Sequence, residues 1–346
     1  DYTRPVDGSI KATDWNGVHA LDEIVQSINP VNGWLQNCNA TPFTVAGTNS
    51  PKAENYPSYM APDGENARGL NAVRLLSSID KISLDELIKL GYNKHFTGFD
   101  ILLPSLISES NKIQADTNIE RARKNLMTAE VQKAIDYLAK WSHDADTNSI
   151  AQTIAISWMA EINNPQGKTA FKPATEEEGT QIVKRYNAIN NFKIYYKLYC
   201  LNNALNKLKA SYGTWEIPWG QINRYQRVNP GSNFNDSAFS ISVAQASSKF
   251  GQLPAFESKQ MPMPNNSSLT KNRYGYSGNS FIAAVQFGKK VEAKTIITGG
   301  QSRWANDKHF TDQAQMYIDG NFKTIHFYKE DVLRHAVTSY NPGLDK

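Results

Sequence analysis

The sequence lacks both a long apolar run and a strong imbalance of charge. None of its 346 residues falls in an uninterrupted apolar stretch of about 18, the length that a membrane-spanning helix needs. The 37 lysines and arginines nearly balance the 33 aspartates and glutamates, which leaves a net charge of +4. Such a balance gives no electrostatic footprint for a polyanion. We therefore expect neither nucleic acid nor a membrane among its partners.

Cysteine is scarce as well. Cys38 and Cys200 are the two cysteines of the chain, and they form no CxxC pattern, which excludes a thiolate metal site. They could be joined in a disulfide or be two free thiols, and cysteine usage leaves both options open.

Several familiar catalytic motifs are also absent. The sequence has no GxSxG nucleophile elbow, no HExxH, no Walker loop and no GxGxxG. No two histidines have the i, i+4 spacing of a helical metal pair. We interpret each histidine as a surface or packing residue, and predict no metal ligand and no cofactor-binding residue. The six are His19, His95, His143, His309, His326 and His335.

Ser302, His309 and Asp312 supply the residue types of a nucleophilic triad near the end of the chain. His309 and Asp312 would lie close together on one turn of helix. A triad needs a spatial geometry that spacing alone does not supply. We therefore favour packing or capping roles for these residues.

The distribution of turn formers and periodic apolar residues divides the chain into regions. Residues 1–45 are rich in Pro, Gly, Asn and Trp, which predicts extended chain with brief strands, and residues 46–66 are predicted to be a long surface loop. Residues 68–227 carry mainly helical signals. Residues 228–272, rich in Asn, Ser, Gly and Pro, are predicted to be irregular.

Two apolar runs near the C-terminal end, residues 281–287 and 293–298, are typical of strands buried on both faces. Strand-rich ends, residues 1–67 and 273–346, would then enclose the helical middle. This order predicts an α+β fold in which the two ends share a sheet.

Three capping boxes mark predicted helix starts, because a Ser or Thr hydroxyl and a Glu carboxylate together satisfy two first-turn N–H groups. The pairs are Ser83 with Glu86, Thr117 with Glu120, and Thr175 with Glu178. We expect the first helix to end at Gly91 and the second, the clearest in the chain, to reach Trp141. The third region should extend to Lys209 with a break near Asn190. A further helix is predicted over residues 149–161.

The stretch Gln36-Asn37-Cys38-Asn39-Ala40-Thr41-Pro42 follows a predicted short strand at Trp34 and Leu35. Residues two apart on a strand point to the same face, so Asn37 and Asn39 would project together. A preorganised amide donor is what an oxyanion hole requires. A polar turn explains the same residues equally simply, and the pattern alone leaves both interpretations open.

Short segments in a fixed order extend over nearly the whole chain. They are Arg4-Pro5-Val6-Asp7-Gly8, Asp14-Trp15-Asn16-Gly17, Asn29-Pro30, the 36–42 stretch, Gly64-Glu65-Asn66-Ala67-Arg68-Gly69, Arg74-Leu75-Leu76, Pro218-Trp219-Gly220, Asn223-Arg224, Gly278-Asn279-Ser280, Gly299-Gly300-Gln301-Ser302, His309, Asp312-Gln313 and Gly320-Asn321-Phe322. The ordered set resembles the C-terminal part of the nucleophile-bearing β chain of the penicillin acylase family. These N-terminal-nucleophile hydrolases, of αββα fold, cleave the amide between an acyl chain and an amine.

The resemblance implies roles for two residues. Asn39 matches the family asparagine whose side chain donates to the oxyanion hole, and Arg68 matches the arginine that lines the site and supports the catalytic network. Some relatives bind calcium through a carboxylate shortly after the oxyanion asparagine. Tyr59 or Met60 stands in that neighbourhood here, so the resemblance carries no calcium ligand over. We expect no cofactor on this chain, with calcium left as an alternative for the full enzyme.

The resemblance also predicts a missing part. The family nucleophile is the first residue of its chain, a Ser, Thr or Cys whose own α-amino group acts as base. Asp1 cannot do this work, and the residues after it match the family well downstream of the nucleophile. We therefore expect this polypeptide to be a proteolytic or engineered fragment, inactive alone. Its partner would be the remaining N-terminal part of the same precursor, meaning the α chain and the nucleophile-bearing segment.

The family suggests N-acyl substrates such as acyl-homoserine lactones or β-lactam side-chain amides, and hence quorum quenching or antibiotic degradation. It also implies autoproteolytic processing and a periplasmic or secreted location. The alternative function is a non-catalytic module that kept the acylase fold and binds acyl or aromatic ligands.

Overall fold

The chain folds into an α+β structure, as the sequence predicted. The computed structural model describes residues 5–115, 125–163, 182–264, 268–341 and 343. The α-helices are α1 Ala67–Leu76, α2 Leu84–Gly91, α3 Thr97–Ala115, α4 Ala129–Ala139, α5 Ile150–Asn163, α6 Ile182–Asn190, α7 Ile194–Tyr212, α8 Trp219–Ile222, α9 Ala314–Asp319 and α10 Lys329–His335. The strands are β1 Asn223–Tyr225, β2 Ile241–Ser242, β3 Phe256–Pro262, β4 Leu269–Gly278, β5 Phe281–Gln286, β6 Glu292–Ile297 and β7 Lys323–Thr324.

The main hydrophobic core lies among α3, α4, α5 and α7. Helix α5 is apolar on nearly all sides, which is the pattern of a helix at the centre of a core, and it packs along α7. Trp158 of α5 is fully buried, and its indole N–H donates to the carbonyl of Lys197 on α7. The buried polar groups of the two central helices are thus joined directly to each other.

The strands form two sheets. One has the order β2-β1-β4-β3, with β1 parallel to β4 and its other pairs antiparallel, and the other is the antiparallel sheet β5-β6-β7. A smaller apolar cluster joins the two sheets to α9 through Phe256 of β3, Ile296 of β6 and Tyr317 of α9. The sheets therefore share one core with α9.

Several helix boundaries agree with the sequence. The Ser83–Glu86 capping box is present, and α2 ends at Gly91. A break separates α6, which ends at Asn190, from α7. The predicted capping boxes at residues 117–120 and 175–178 lie outside the described residues. The single helix expected from Thr117 to Trp141 is wrong for the described residues, because Met127 and Thr128 are not helical. A new helix, α4, begins at Ala129, where the Thr128 side chain accepts the Val131 N–H, and it ends at Ala139.

The expectation of strands near the start of the chain is wrong for the described residues. Residues 5–66 contain 3₁₀ turns and irregular chain, and every described strand follows residue 222. The reason is conformational: Gly17, Asn29, Gly33 and Asn39 all adopt positive φ, which interrupts an extended segment. The two ends of the described chain consequently do not share a sheet.

Two further predictions about strands are corrected. Strand β3, Phe256–Pro262, lies within residues 228–272, a region that was predicted to be irregular. The strand forms because it pairs with β4, despite its terminal Pro262. Strands β5 and β6 lie where predicted, but β5 is not buried on both faces, since Phe281 and Val285 are exposed. None of the described helices combines the length and the apolar character that crossing a bilayer requires.

Replacing Leu201 by Ala tests the central helical core. Leu201 is fully buried on α7, so the substitution should lower the free energy of unfolding by about 2–5 kcal/mol. The measurement is urea denaturation followed by circular dichroism. The control Leu333→Ala removes an exposed leucine of α10 and should change stability by less than about 0.5 kcal/mol. Equal effects in the two variants would contradict this assignment of the core.

Candidate functional site

The two residues singled out by the family resemblance meet in the structure. Arg68 lies in the first turn of α1, and its Nη2 donates to Oδ1 of Asn39 over 3.0 Å. The two residues are 29 positions apart in sequence. The loop that precedes α1 therefore places the Asn39 side chain within hydrogen-bond distance of the Arg68 guanidinium.

This contact fixes which way the Asn39 amide points. A guanidinium has donors and no acceptor, so it must face the amide oxygen. The Nδ2 group is consequently directed away from Arg68, and within the described part of the chain it donates to no protein acceptor. Asn39 is exposed, so this N–H group is available to a ligand. An oriented amide donor of this kind can stabilise developing negative charge on an oxygen.

Asn66, the N-cap of α1, holds the Asn39 loop against the helix. Its Oδ1 accepts the Gly69 N–H over 2.9 Å, while its Nδ2 donates to the carbonyls of Cys38 and Asn39 over 2.9 and 3.1 Å. The Thr41 N–H adds a backbone bond to the Gly64 carbonyl. One buried side chain thus caps the helix and binds the backbone that presents Asn39.

Helix α1 is itself anchored in the interior. Asn71 is fully buried, and its Nδ2 donates to the Gly251 carbonyl over 2.9 Å. The Thr97 hydroxyl donates to the Ala67 carbonyl over 2.6 Å. A Cβ at Gly69 would lie 2.3 Å from Oε1 of Glu65, which in turn accepts the Asn66 N–H. The start of α1 therefore has little freedom to move relative to the core.

The sequence expectation for Asn37 is wrong. Asn37 and Asn39 do not project together from a strand, because Asn39 has a left-handed backbone with φ 54°. The Asn37 Oδ1 instead accepts the Asn39 N–H over 2.9 Å, which is an Asx turn. Asn37 therefore forms the polar turn, and the role of Asn39 as an oxyanion donor stays a prediction.

The nucleophilic side chains next to Asn39 are already engaged or inactive. Burial raises the pKa of the Cys38 thiol, and the nearby Arg68 charge only partly offsets this effect. The Thr41 Oγ1 accepts the Phe43 N–H at the start of a 3₁₀ turn. Cys38 is a free thiol, as is the buried Cys200, so no disulfide joins them. Among the described neighbours of Asn39, neither Cys38 nor Thr41 is an activated nucleophile.

The Ser302, His309 and Asp312 set is only partly assembled. His309 Nδ1 lies 2.7 Å from Asp312 Oδ2, as their spacing suggested. The Ser302 hydroxyl, however, accepts the Trp304 N–H. The pKa of Asp307 is lowered, mainly by a hydrogen bond from the His309 backbone N–H and also by one from the Ser302 side chain. These contacts stabilise the turns of residues 302–309, and none of the three side chains caps helix α9, whose N-cap is Gln313.

The sequence analysis missed a cluster that the fold creates. His95 and His143, interpreted separately as surface or packing residues, both contact the carboxylate of Asp100. Their separation of 48 positions matches no metal-binding motif, so the sequence contained no signal for it. Only the pairing of the segments around residues 95 and 144 brings them together.

A polar cavity of about 590 Å³ opens away from Asn39 and Arg68. Lys94, Asp146, Gln245 and Asp319 are among its lining residues. Neither Asn39 nor Arg68 lines it, so this cavity is separate from the Arg68–Asn39 contact.

Replacing Asn66 by Asp tests whether this side chain binds the loop as well as capping the helix. Aspartate keeps the acceptor for the Gly69 N–H but loses both donors, and sets a carboxylate against two carbonyls. We expect a loss of about 1–3 kcal/mol in the free energy of unfolding, measured by urea denaturation. The control Thr128→Asp changes an N-cap that acts as acceptor and should stay within about 0.5 kcal/mol. An unaffected Asn66→Asp variant would show that the loop is held by other contacts.

Comparison with known proteins places this arrangement in a family. A thermostable penicillin G acylase from Alcaligenes faecalis, solved in an orthorhombic crystal form, has a similar structure, with a TM-score of 0.52 and 16% sequence identity. The similarity covers 96% of this chain but 61% of that one, so the chain spans about three fifths of the acylase chain. At this identity the likeness shows the fold alone. The sequence profile of the penicillin amidase family matches residues 1–334, and the chain therefore belongs to the penicillin amidase family, whose members are hydrolases acting on amide bonds.

Proposed function

We propose that this chain supplies the oxyanion-binding part of an N-acyl amide hydrolase. The observation that carries the proposal is the 3.0 Å bond from Arg68 Nη2 to Asn39 Oδ1. It leaves the Asn39 Nδ2 group pointing outward as a donor of fixed direction. The same two residues match the family positions for the oxyanion asparagine and the supporting arginine.

The proposed chemistry passes through a tetrahedral intermediate. When a nucleophile attacks the amide carbonyl of the substrate, negative charge develops on the carbonyl oxygen, and Asn39 Nδ2 donates a hydrogen bond to it. Arg68 acts as a positioning residue, because it holds the amide by its oxygen. Its permanent positive charge also favours negative charge nearby. A donor that is oriented before the reaction needs no reorganisation as the charge forms.

The nucleophile is proposed to come from the remaining N-terminal part of the same precursor. Two observations support such a partner. The chain spans about three fifths of the similar acylase chain. In addition, Trp15, Val18 and Val31 are 83%, 90% and 94% exposed, and several large apolar side chains in solvent within one short segment favour a surface that another segment covers.

The finer features of the family are proposed for the complete protein. Its substrates would be N-acyl compounds, such as acyl-homoserine lactones or the side-chain amides of β-lactams, which implies quorum quenching or antibiotic degradation. Autoproteolytic processing would separate the α chain from the nucleophile-bearing β chain of αββα fold. A periplasmic or secreted location would follow from the same family likeness.

Removing the Asn39 donor tests the proposed role in the full-length gene product. Asn39→Ala and Asn39→Gly should both lower kcat by about 100- to 1000-fold, with a much smaller change in KM, measured with a chromogenic N-acyl amide. Two variants are needed because Asn39 has positive φ, a conformation that Gly adopts freely and Ala does not. The control Asn55→Ala changes an exposed asparagine of the same loop region and should leave kcat unchanged.

The contribution of Arg68 is measured in a double-mutant cycle. Arg68→Lys keeps a positive charge but loses the planar guanidinium that holds the amide oxygen. It should lower kcat on its own and have little further effect in the Asn39→Gly background, since it acts through Asn39. Additive losses would contradict the positioning role, and a normal kcat in Asn39→Gly would contradict the oxyanion role.

The chain by itself is expected to be inactive. Purified alone, it should not hydrolyse the chromogenic amide, whereas co-expression with the remaining precursor should restore turnover. Hydrolysis by the isolated chain would contradict the proposal that the nucleophile lies on the remaining part of the precursor. If the full-length product bound acyl ligands in calorimetry without turning them over, the non-catalytic module would be the correct function.

A further inference from the structure

Three side chains from two chain segments converge outside the acylase-like site. They are His95, Asp100 and His143, and we call them the His–Asp–His cluster. His95 Nε2 lies 2.8 Å from one oxygen of Asp100, and His143 Nδ1 lies 2.6 Å from the other. The three candidate ligand atoms all lie within 4.8 Å of one another.

The backbone holds the two histidine-bearing segments in register. The Phe96 N–H donates to the His143 carbonyl over 2.8 Å, and the Ala145 N–H donates to the Lys94 carbonyl over 2.9 Å. These bonds form an isolated antiparallel bridge between His95 and Asp144. The positions of both imidazole rings therefore depend on the backbone as well as on contacts between the side chains.

Packing also fixes the His143 ring. His143 has positive φ, 61°, and its ring lies edge-on to Trp141, with 5.2 Å between centroids. Trp141 packs on Phe96 and Phe99, which belong to the main core. A backbone in an uncommon conformation and a ring held by the core make this imidazole preorganised.

A fourth side chain orients His95. Asp144 Oδ1 lies 3.1 Å from His95 Nδ1, the ring nitrogen that faces away from Asp100. The Trp141 indole N–H donates to the Asp144 carbonyl over 3.0 Å and so fixes this residue too. A carboxylate on the distal nitrogen of a histidine is the usual outer partner of a metal-binding imidazole, since it sets the tautomer and raises the basicity of the ligand.

We propose that the His–Asp–His cluster binds one divalent transition-metal ion of the zinc class. His95 Nε2, His143 Nδ1 and one Asp100 oxygen would be its ligands, with Asp144 as the orienting outer carboxylate. Two imidazole nitrogens and a carboxylate are a ligand set that Zn²⁺ prefers, and Ca²⁺ or Mg²⁺, which prefer oxygen, fit less well. The ion takes the place of the ring protons that now lie between each histidine and Asp100.

Partial exposure supports entry of an ion. The side chains of His95 and His143 are 20% and 18% exposed, and that of Asp100 is 44% exposed. The imidazoles are thus largely shielded while the carboxylate faces solvent. A water molecule can reach the fourth position of a tetrahedral site from this side.

The bound ion would stabilise the fold beneath α1. The His95 carbonyl accepts a bond from the buried Asn71 of α1 over 3.3 Å, and Asp100 lies in the first turn of α3. A ligand that binds the folded state alone raises stability in proportion to the logarithm of its concentration. The site is independent of the Asn39 donor, so its test does not rely on acylase activity.

The test is a metal titration of the purified chain after treatment with EDTA. Isothermal titration calorimetry with Zn²⁺ should give one ion per chain, and the thermal unfolding midpoint should rise with Zn²⁺ concentration. Co²⁺ should give visible d–d bands of the intensity that four-coordinate sites show. The titration is run near pH 8, because the hydrogen bond to Asp100 raises the pKa of His95 and protons compete for this nitrogen.

Matched variants assign the site. His143→Ala and Asp100→Asn should each abolish the Co²⁺ bands, and the isosteric Asp100→Asn covers the case in which His143→Ala does not fold. Asp144→Asn should bind about 10- to 100-fold more weakly, because it removes the outer carboxylate. Two controls should bind normally. His309→Ala removes another histidine–aspartate pair, and His326→Ala removes a ring from the stacked pair with His335.

Two results would overturn the proposal. One is the absence of saturable Zn²⁺ or Co²⁺ binding by the folded chain. The other is binding that survives in Asp100→Asn and is lost in His309→Ala or His326→Ala, which would place the ion elsewhere.

Discussion

The candidate site depends on one buried amide, that of Asn66. An asparagine side chain can accept from the first turn of α1 through its oxygen and donate to the preceding loop through its nitrogen at the same time. It does both, with its oxygen on Gly69 and its nitrogen on the carbonyls of Cys38 and Asn39. Because those backbone groups are part of the Asn39 turn, the helix start and the donor loop form one unit. The position of Arg68 follows from the same unit.

The direction of the Asn39 N–H group follows from a chemical difference between the Arg68 guanidinium and the Asn39 amide, which are joined by a hydrogen bond. A guanidinium can only donate, so it selects the amide oxygen and leaves the N–H group outside. Helix α1 gives the guanidinium a fixed origin, since Asn71 ties this helix to the interior. Electrostatic stabilisation of this kind is strongest where water is excluded. In the proposed function, the exposed Asn39 therefore needs the partner segment to shield it from solvent.

Family membership indicates the class of chemistry, whereas the partial span of the chain supports the need for a partner. Membership in the penicillin amidase family defines the class of chemistry. The chain spans 61% of the similar acylase chain, and apolar residues such as Val18 and Val31 lie in solvent. These observations support the proposal that the chain forms a half-site, which a nucleophile-bearing partner would complete. The His–Asp–His cluster belongs to a separate part of the chain, where contacts internal to this polypeptide are sufficient to build it.

The sequence by itself determined the local features. Capping at Ser83, the end of α2 at Gly91 and the break after Asn190 follow from short-range hydrogen bonding and backbone preferences, which neighbouring residues encode. The ordered family segments also selected Asn39 and Arg68 as candidate site residues. Tertiary structure decided that Asn37 and Asn39 do not project together, because the left-handed φ of Asn39 cannot be read from its neighbours. It also decided that His95 and His143 meet at Asp100, since that contact needs two chain segments distant in sequence to pair.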